Sequence, residues 1–199
     1  MAYIIEGTEY PVIYIANYRV GSTATAATLM DMGARQVNHH HGLPSLEDAY
    51  IPSALTVQTV RHHADVITSL WFKQGMRCEI EELIDNILAG ENDYLRPHTF
   101  YDRYPCNFPL RYENLQFEFD NLCVIAGLPE TTLKVKPSQR PAKHDWREVI
   151  NNVQAERIYS HYQKEMDHYG YGPFGNLPKE DQEKLDEILR KSNLRNRGN

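Results

Sequence analysis

The sequence predicts a three-layer α/β domain built on a mainly parallel sheet, with a P-loop-like anion-binding loop near its start. Three observations carry this expectation. Short β-branched runs alternate with helix-forming segments, two of the helical segments show clean apolar periodicity, and a glycine followed by two hydroxyl residues stands at the first strand-to-helix junction. Strands that alternate with helices pair in parallel, because each crossover returns the chain over the sheet, and helices then cover both faces. Ligands of such sheets bind at the carboxyl ends of the strands, where loops meet helix N-termini.

The elements follow in order. Residues 11–16 (PVIYIA) form a β-branched run between turn-like residues and read as a buried strand. Residues 24–33 (ATAATLMDMG) are helix-forming and end on Gly33, a C-terminal cap. Residues 36–40 read as a second strand and 55–60 (LTVQTV) as a third, followed by a helix over 64–73. Residues 78–89 give the clearest amphipathic helix, with Ile80, Leu83, Ile84, Ile87 and Leu88 on one face. A strand over 109–112 leads into a helix that aligns Leu115, Phe119, Leu122 and Ile125 and stops at Gly127 and Pro129. A long helix is expected over 146–169 and a charged one over 178–190. The chain shows no repeat and no linker, so residues 1–191 read as one domain and 192–199 as a polar, frayed tail.

Composition narrows the function. No apolar run approaches the roughly 20 residues of a membrane helix. The N-terminus lacks the basic start and apolar stretch of a secretory signal, which predicts a cytoplasmic protein. Cys78, Cys106 and Cys123 are odd in number and not in metal-ligand pairs, as expected of reduced, buried thiols. A net charge of −6 disfavours nucleic acid and anionic membranes as partners. An anionic ligand must therefore be held locally.

The segment Tyr18-Arg19-Val20-Gly21-Ser22-Thr23 has the residues for this. Gly21 permits a tight turn and close approach of backbone to ligand. The amides and hydroxyls of Ser22 and Thr23 stand at a helix N-terminus, where the dipole favours an anion, and Arg19 adds a fixed charge. The pattern G-x-x-x-x-G-K-[ST] is absent, which disfavours an NTPase or kinase of that type. Taken alone, the segment is read equally well as a capped helix after a tight turn. Further on, Arg61 closes the third strand and Ser69 follows eight residues later in the next helix. A planar guanidinium and a hydroxyl so placed can converge on one phosphate, although an arginine at a strand end is more often solvated or paired with a carboxylate.

Together these segments resemble the sulfotransferases that use PAPS (3′-phosphoadenosine 5′-phosphosulfate). In that family a P-[KR]-x-G-[ST]-T loop binds the 5′-phosphosulfate, and an Arg with a Ser eight residues later binds the 3′-phosphate. Arg19, Gly21, Ser22 and Thr23 match the first motif, Arg61 and Ser69 the second. Arg111-Tyr112-Glu113-Asn114-Leu115 is similar to the family's Y-E-[DN]-L signature, whose Tyr lies by the adenine, and the chain later runs into Asp167-His168-Tyr169-Gly170-Tyr171, as such domains often do. The resemblance covers roughly residues 10–172 in the right order. Three positions depart from it: Tyr18 replaces the loop proline, Arg19 replaces the Lys of the cytosolic branch (Arg occurs elsewhere in the family), and Ala24 stands where that branch carries an adenine-stacking Trp, which shifts stacking onto Tyr112 or another aromatic.

The resemblance implies transfer of a sulfuryl group from PAPS to a hydroxyl or amine, releasing PAP and needing no metal. A neutral histidine suits the base that takes the acceptor's proton. The run Asn38-His39-His40-His41-Gly42-Leu43-Pro44 lies where family members carry such a histidine before a Leu-Pro pair. His41 is favoured and His40 stays open, because one extra residue separates the run from that pattern. A solvated loop or a transition-metal site are the other readings of the run; ligand spacing disfavours the metal. His62 and His63, which follow Arg61, are expected at the surface, with a place lining the same cleft as the alternative. Lys134, Lys136, Arg140 and Lys143 concentrate positive charge before the last long helix, and the family implies a basic loop there that closes over the 3′-phosphate. Arg140 and Lys143 are the candidates, with Ser138 behind them. The acceptor, a small molecule or carbohydrate, is not named by the sequence; Tyr94, Tyr101 and Tyr104 are ring-stacking candidates. The competing readings are a non-catalytic PAP- or nucleotide-binding protein of the same fold and, more distantly, a Mg²⁺-dependent phosphotransferase.

Overall fold

In a computed structural model, the structure describes residues 2–16, 21–37, 54–90, 106–134 and 145–175. The fold is α/β. Its five-stranded sheet has the order β3-β1-β2-β4-β5, with β1 at Ala2–Ile5, β2 at Val12–Ile15, β3 at Arg35–Val37, β4 at Leu55–Val60 and β5 at Phe108–Arg111.

The sheet is mixed rather than mainly parallel. β2 pairs with β4, and β4 with β5, in parallel, but β1 runs antiparallel to both β2 and β3. The cause is the connection between β1 and β2. Residues 6–11 are too few for a crossover, which takes about a dozen residues or more, so the chain turns back as a hairpin. Its register pairs Ala2 with Ile15 and Ile5 with Val12. Strand β1 is absent from the sequence reading. All four of its residues are buried, so it lacks the alternation that marks a half-exposed strand.

Six α-helices are found among the described residues: α1 (Ser22–Asp31), α2 (His63–Lys73), α3 (Ile80–Leu88), α4 (Leu115–Ala126), α5 (Asn152–His161) and α6 (Gln163–His168). Helix α4 ends as predicted, with Gly127 in the left-handed conformation at φ 68°. The single helix expected over 146–169 is broken twice. A 3-10 turn at Trp146–Glu148 precedes a capping box in which the Asn151 side chain accepts from the Gln154 amide (3.0 Å) and Gln154 Oε1 from the Asn151 amide (2.9 Å). The second break is at Tyr162, with φ −109° and ψ 20°. The expected helix over 178–190 and the tail over 192–199 lie outside the described residues.

Alternating residues of β4 join two cores. Val57 packs with Tyr14, Leu110, Leu29, Phe119 and Leu122, beneath α1 and α4. Val60, on the opposite face, joins the cluster formed by α2, α3 and α5, with Ile67, Ile84 and Ile158 at its centre. Cys106 and Cys123 are buried free thiols, and burial pushes Cys106 up to about 12 and Cys123 to about 11. Among the described residues no helix is long and apolar enough to cross a membrane. For function, the parallel half of the sheet is the important one: the carboxyl ends of β2, β4 and β5 lie side by side.

Candidate functional site

Each of these three strand ends carries one of the sequence motifs. Beyond β2, the chain enters α1 through Gly21, which caps the helix in the left-handed conformation at φ 82°. Ser22 and Thr23 open the helix, and its first turn contains no acidic residue to offset the positive end of the dipole. Arg19 lies outside the described residues, as do all of residues 17–20, so the loop's own course is not part of this geometry. The first turn is braced from below. Tyr14 and Thr59 share a 2.7 Å hydroxyl bond, Thr25 Oγ1 is 3.3 Å from Thr59 Oγ1, and the Tyr14 hydroxyl lies 3.5 Å from the Ser22 carbonyl oxygen. Tyr14 and both threonines are fully buried, so this link between β2, β4 and α1 is shielded from water. It was not found in the sequence, although a tyrosine in a buried strand signals a hydroxyl that must find a partner.

Beyond β4 comes Arg61, only 4% exposed. Its Nε donates to Asp65 Oδ2 at 2.5 Å, and its guanidinium carbon sits 4.2 Å from the centre of the Tyr112 ring. Beyond β5, Tyr112 opens a short 3-10 turn that leads into α4. The same ring reaches Gly21. A Cβ placed on Gly21 would stand 2.7 Å from Tyr112 Cδ2 and 2.8 Å from Cε2. Tyr112 therefore touches both the cap of α1 and the cation at the end of β4, and residues from three separate motifs form one cluster.

Other expected residues fall differently. Ser69 is buried on α2 one turn after Asp65, and the Asp65 carboxylate accepts from Arg61 Nε. Asp65 is the carboxylate partner that the competing reading of Arg61 left unassigned, and the i,i+4 spacing from Arg61 is its signal. Ala24 is half-buried in the first turn of α1, and its amide bonds the Gly21 carbonyl (3.1 Å). His39, His40 and His41 lie outside the described residues, as do Lys136, Ser138, Arg140, Lys143, Tyr94, Tyr101 and Tyr104. Where the basic loop begins is described. Lys134 pairs with Asp31, and its amide donates to Thr28 Oγ1 (2.9 Å), so the loop leaves from α1.

His62 and His63 correct the expectation of surface placement, since both are buried. His63 Nε2 faces Glu165 Oε2 at 3.3 Å. His62 Nε2–H donates to the Gly172 carbonyl (3.0 Å), and Nδ1 accepts from the Ala64 amide (3.3 Å), capping α2. The ring stacks on Trp146 at 4.7 Å. These partners fix a neutral imidazole. Burial, reinforced by the charges of His63 and Arg147, lowers its pKa from 6.5 to about 4 despite the opposing bond to Gly172. Unfolded, the ring takes up its proton near 6.5; folded, it does so only near 4. The stability this contributes is present above 6.5 and is lost as pH falls through that window, by up to about 3 kcal/mol. Urea midpoints measured across the window should fall with pH in the wild type and hold nearly level in His62→Asn. Burial raises the Glu118 carboxyl, which gives a slope of opposite sign, so a steeper fall in the variant would overturn the assignment to His62.

An open cleft of about 570 Å³ between α3 and α5 includes none of the motif residues. Its cations are already engaged: Arg157 with Glu81 and Asp85, Arg147 with Asp145 and the Phe174 carbonyl. The motif residues meet at the strand ends instead. A helix N-terminus without acidic residues, an arginine and an aromatic ring are together suited to hold a phosphorylated, aromatic ligand. No protein-family model, no curated protein and no solved structure matches the chain, so this cluster and the motifs that form it are the ground for any functional reading.

Proposed function

We propose that the chain is a PAPS-dependent sulfotransferase. The observation that carries the reading is the meeting of Gly21, Arg61 and Tyr112, one from each motif, at the ends of β2, β4 and β5. In this reading Arg19, Ser22 and Thr23 hold the 5′-phosphosulfate. Arg61 and Ser69 hold the 3′-phosphate, with Arg140 and Lys143 closing over it, and the adenine packs against Tyr112.

The acceptor's oxygen or nitrogen attacks sulfur in line with the bond to the 5′-phosphate oxygen. As the new bond to sulfur forms, the old S–O bond breaks and its electron pair leaves on PAP. The acceptor's proton passes to His41, with His40 as its alternative. Arg19 and the α1 N-terminus offset charge on the departing phosphate. Aligning donor and acceptor supplies most of the rate, as in phosphoryl transfer.

Calorimetric titration tests this directly. PAP should bind, with AMP much weaker because it lacks the 3′-phosphate, and ATP–Mg²⁺ should not compete. His41→Ala should keep PAP affinity within about twofold while losing about 100-fold or more in turnover of labelled PAPS, the usual range for a lost general base. PAP binding without turnover of any acceptor in the wild type would favour the non-catalytic reading. Preference for ATP–Mg²⁺ would remove the sulfotransferase reading altogether.

A further inference from the structure

The residues on either side of Arg61 and of Tyr112 share one feature. Arg61 is flanked by Val60 and His62, Tyr112 by Arg111 and Glu113. All four are reached by a single stretch, Tyr169 to Gly172, that follows α6. Arg111 Nε donates to the Tyr169 carbonyl at 2.8 Å, and His62 Nε2–H to the Gly172 carbonyl at 3.0 Å. The Tyr171 hydroxyl donates to Glu113 Oε2 at 2.6 Å, with the Val60 carbonyl oxygen 3.5 Å away. The other Glu113 oxygen, Oε1, accepts from the His62 amide at 3.4 Å, which ties the turn after β5 to the end of β4.

We infer that Tyr171 is a positioning residue of the nucleotide site, acting through Glu113 to set the spacing of Arg61 and Tyr112. The inference rests on the functional reading above for what that spacing serves, though not for the spacing itself. The local packing leaves little slack. The Tyr112 ring is already in contact with Gly21 on one side and the guanidinium on the other, so a small shift of the 3-10 turn changes both distances. Displacements of about 1 Å in such sites cost up to about 100-fold in function.

Tyr171 is suited to the task. It is 3% exposed, its ring packs edge-on to His62 at 5.7 Å, and burial together with the Glu113 carboxylate keeps its hydroxyl protonated well above the ordinary range. It is therefore a fixed donor. The bond to a carboxylate is of the stronger, charge-assisted kind. Arg111 needs no help from Tyr171, because its amide and Nη1 are held by Glu118 at 2.6 and 3.1 Å. The task of Tyr171 is thus the link to Glu113 and the end of β4.

The test is Tyr171→Phe, which keeps the ring and removes the hydroxyl. Two measurements are made on the full chain: PAP and AMP affinity by calorimetry, and the ¹⁵N–¹H resonance of Arg61 Nε, whose position reports the ring current of Tyr112. The expected result is a shifted Arg61 resonance and a loss of about five- to tenfold in PAP affinity, about that of one ordinary hydrogen bond. AMP affinity should change much less, so discrimination between the two falls. A merely structural role would leave that ratio and the resonance where they are. An unmoved Arg61 resonance overturns the inference, whatever the nucleotides do. A moved resonance in a protein whose wild type ignores PAP supports the positioning role and removes the sulfotransferase reading instead. Should Tyr171→Phe not fold, Glu113→Gln, which weakens the same bond from its solvent-facing partner, is read by the same two measurements.

Discussion

Arg61→Ala should weaken PAP binding by about 100-fold or more while leaving AMP affinity nearly unchanged. A guanidinium that holds a phosphate through two charge-assisted hydrogen bonds contributes about 3 kcal/mol or more, and every 1.4 kcal/mol is about tenfold in affinity. The substitution also has a structural cost. Asp65 loses its partner in a site where the two side chains are 3% and 15% exposed, and the Tyr112 ring loses its cation. Breaking one side of a buried pair costs about 3 kcal/mol. Poor folding could then pass for poor binding. The double variant Arg61→Ala/Asp65→Ala separates the two, because removing both charges relieves the unpaired carboxylate. Its melting temperature should recover most of the loss, and its PAP affinity should not. If PAP binds Arg61→Ala as tightly as it binds the wild type, Arg61 is a scaffold residue and the second motif match is accidental.

That same pair shows what was legible in the sequence. Arg61 stood out because an arginine at the end of a β-branched run, eight residues before a serine, is a local pattern. Asp65 lay inside the same pattern, but an Arg–Asp spacing of four most often marks a solvated helix face; here burial makes it a partner of the guanidinium. Elements with strong local signals were legible to within a residue or two: β4, whose bounds match the expected 55–60, and α4, whose end is set by the left-handed Gly127. Elements that depend on long-range pairing were not. The four residues of β1 carry no periodicity because tertiary contacts bury every one, and without β1 nothing in the pattern shows that the strands beside it pair antiparallel. The His62 ring was misplaced for a related reason. Two adjacent histidines look solvent-seeking until Trp146 and Gly172, far along the chain, provide a stacking surface and an acceptor. The motifs therefore named the cluster, and the groups that orient it came from parts of the chain with no motif at all.

Gly21→Ala should be strongly disruptive for a single added methyl. Two costs combine at this position. A left-handed backbone at φ +82° costs an L-residue about 1 kcal/mol, and the added Cβ would stand 2.7 and 2.8 Å from two carbons of the Tyr112 ring. The ring has little room to retreat, since Arg61 covers it at 4.2 Å, so it must rotate or the helix cap must move. Gly7 supplies the control. Its φ is +79°, nearly the same strain, and nothing lies within 4 Å of an added Cβ. Gly7→Ala should cost about 1 kcal/mol and leave PAP affinity untouched, whereas Gly21→Ala should cost about 2–3 kcal/mol, in the range of an overpacked core, and lose PAP affinity by tenfold or more. Combining Gly21→Ala with Tyr112→Ala removes the opposing ring and should return stability to near that of Tyr112→Ala with only the backbone cost added. Binding should stay low, because the aromatic surface is gone. Denaturant unfolding of the three variants and the double variant gives the coupling energy between positions 21 and 112. A coupling near zero would mean that the loop and the ring do not meet, and the cluster on which the functional reading stands would come apart.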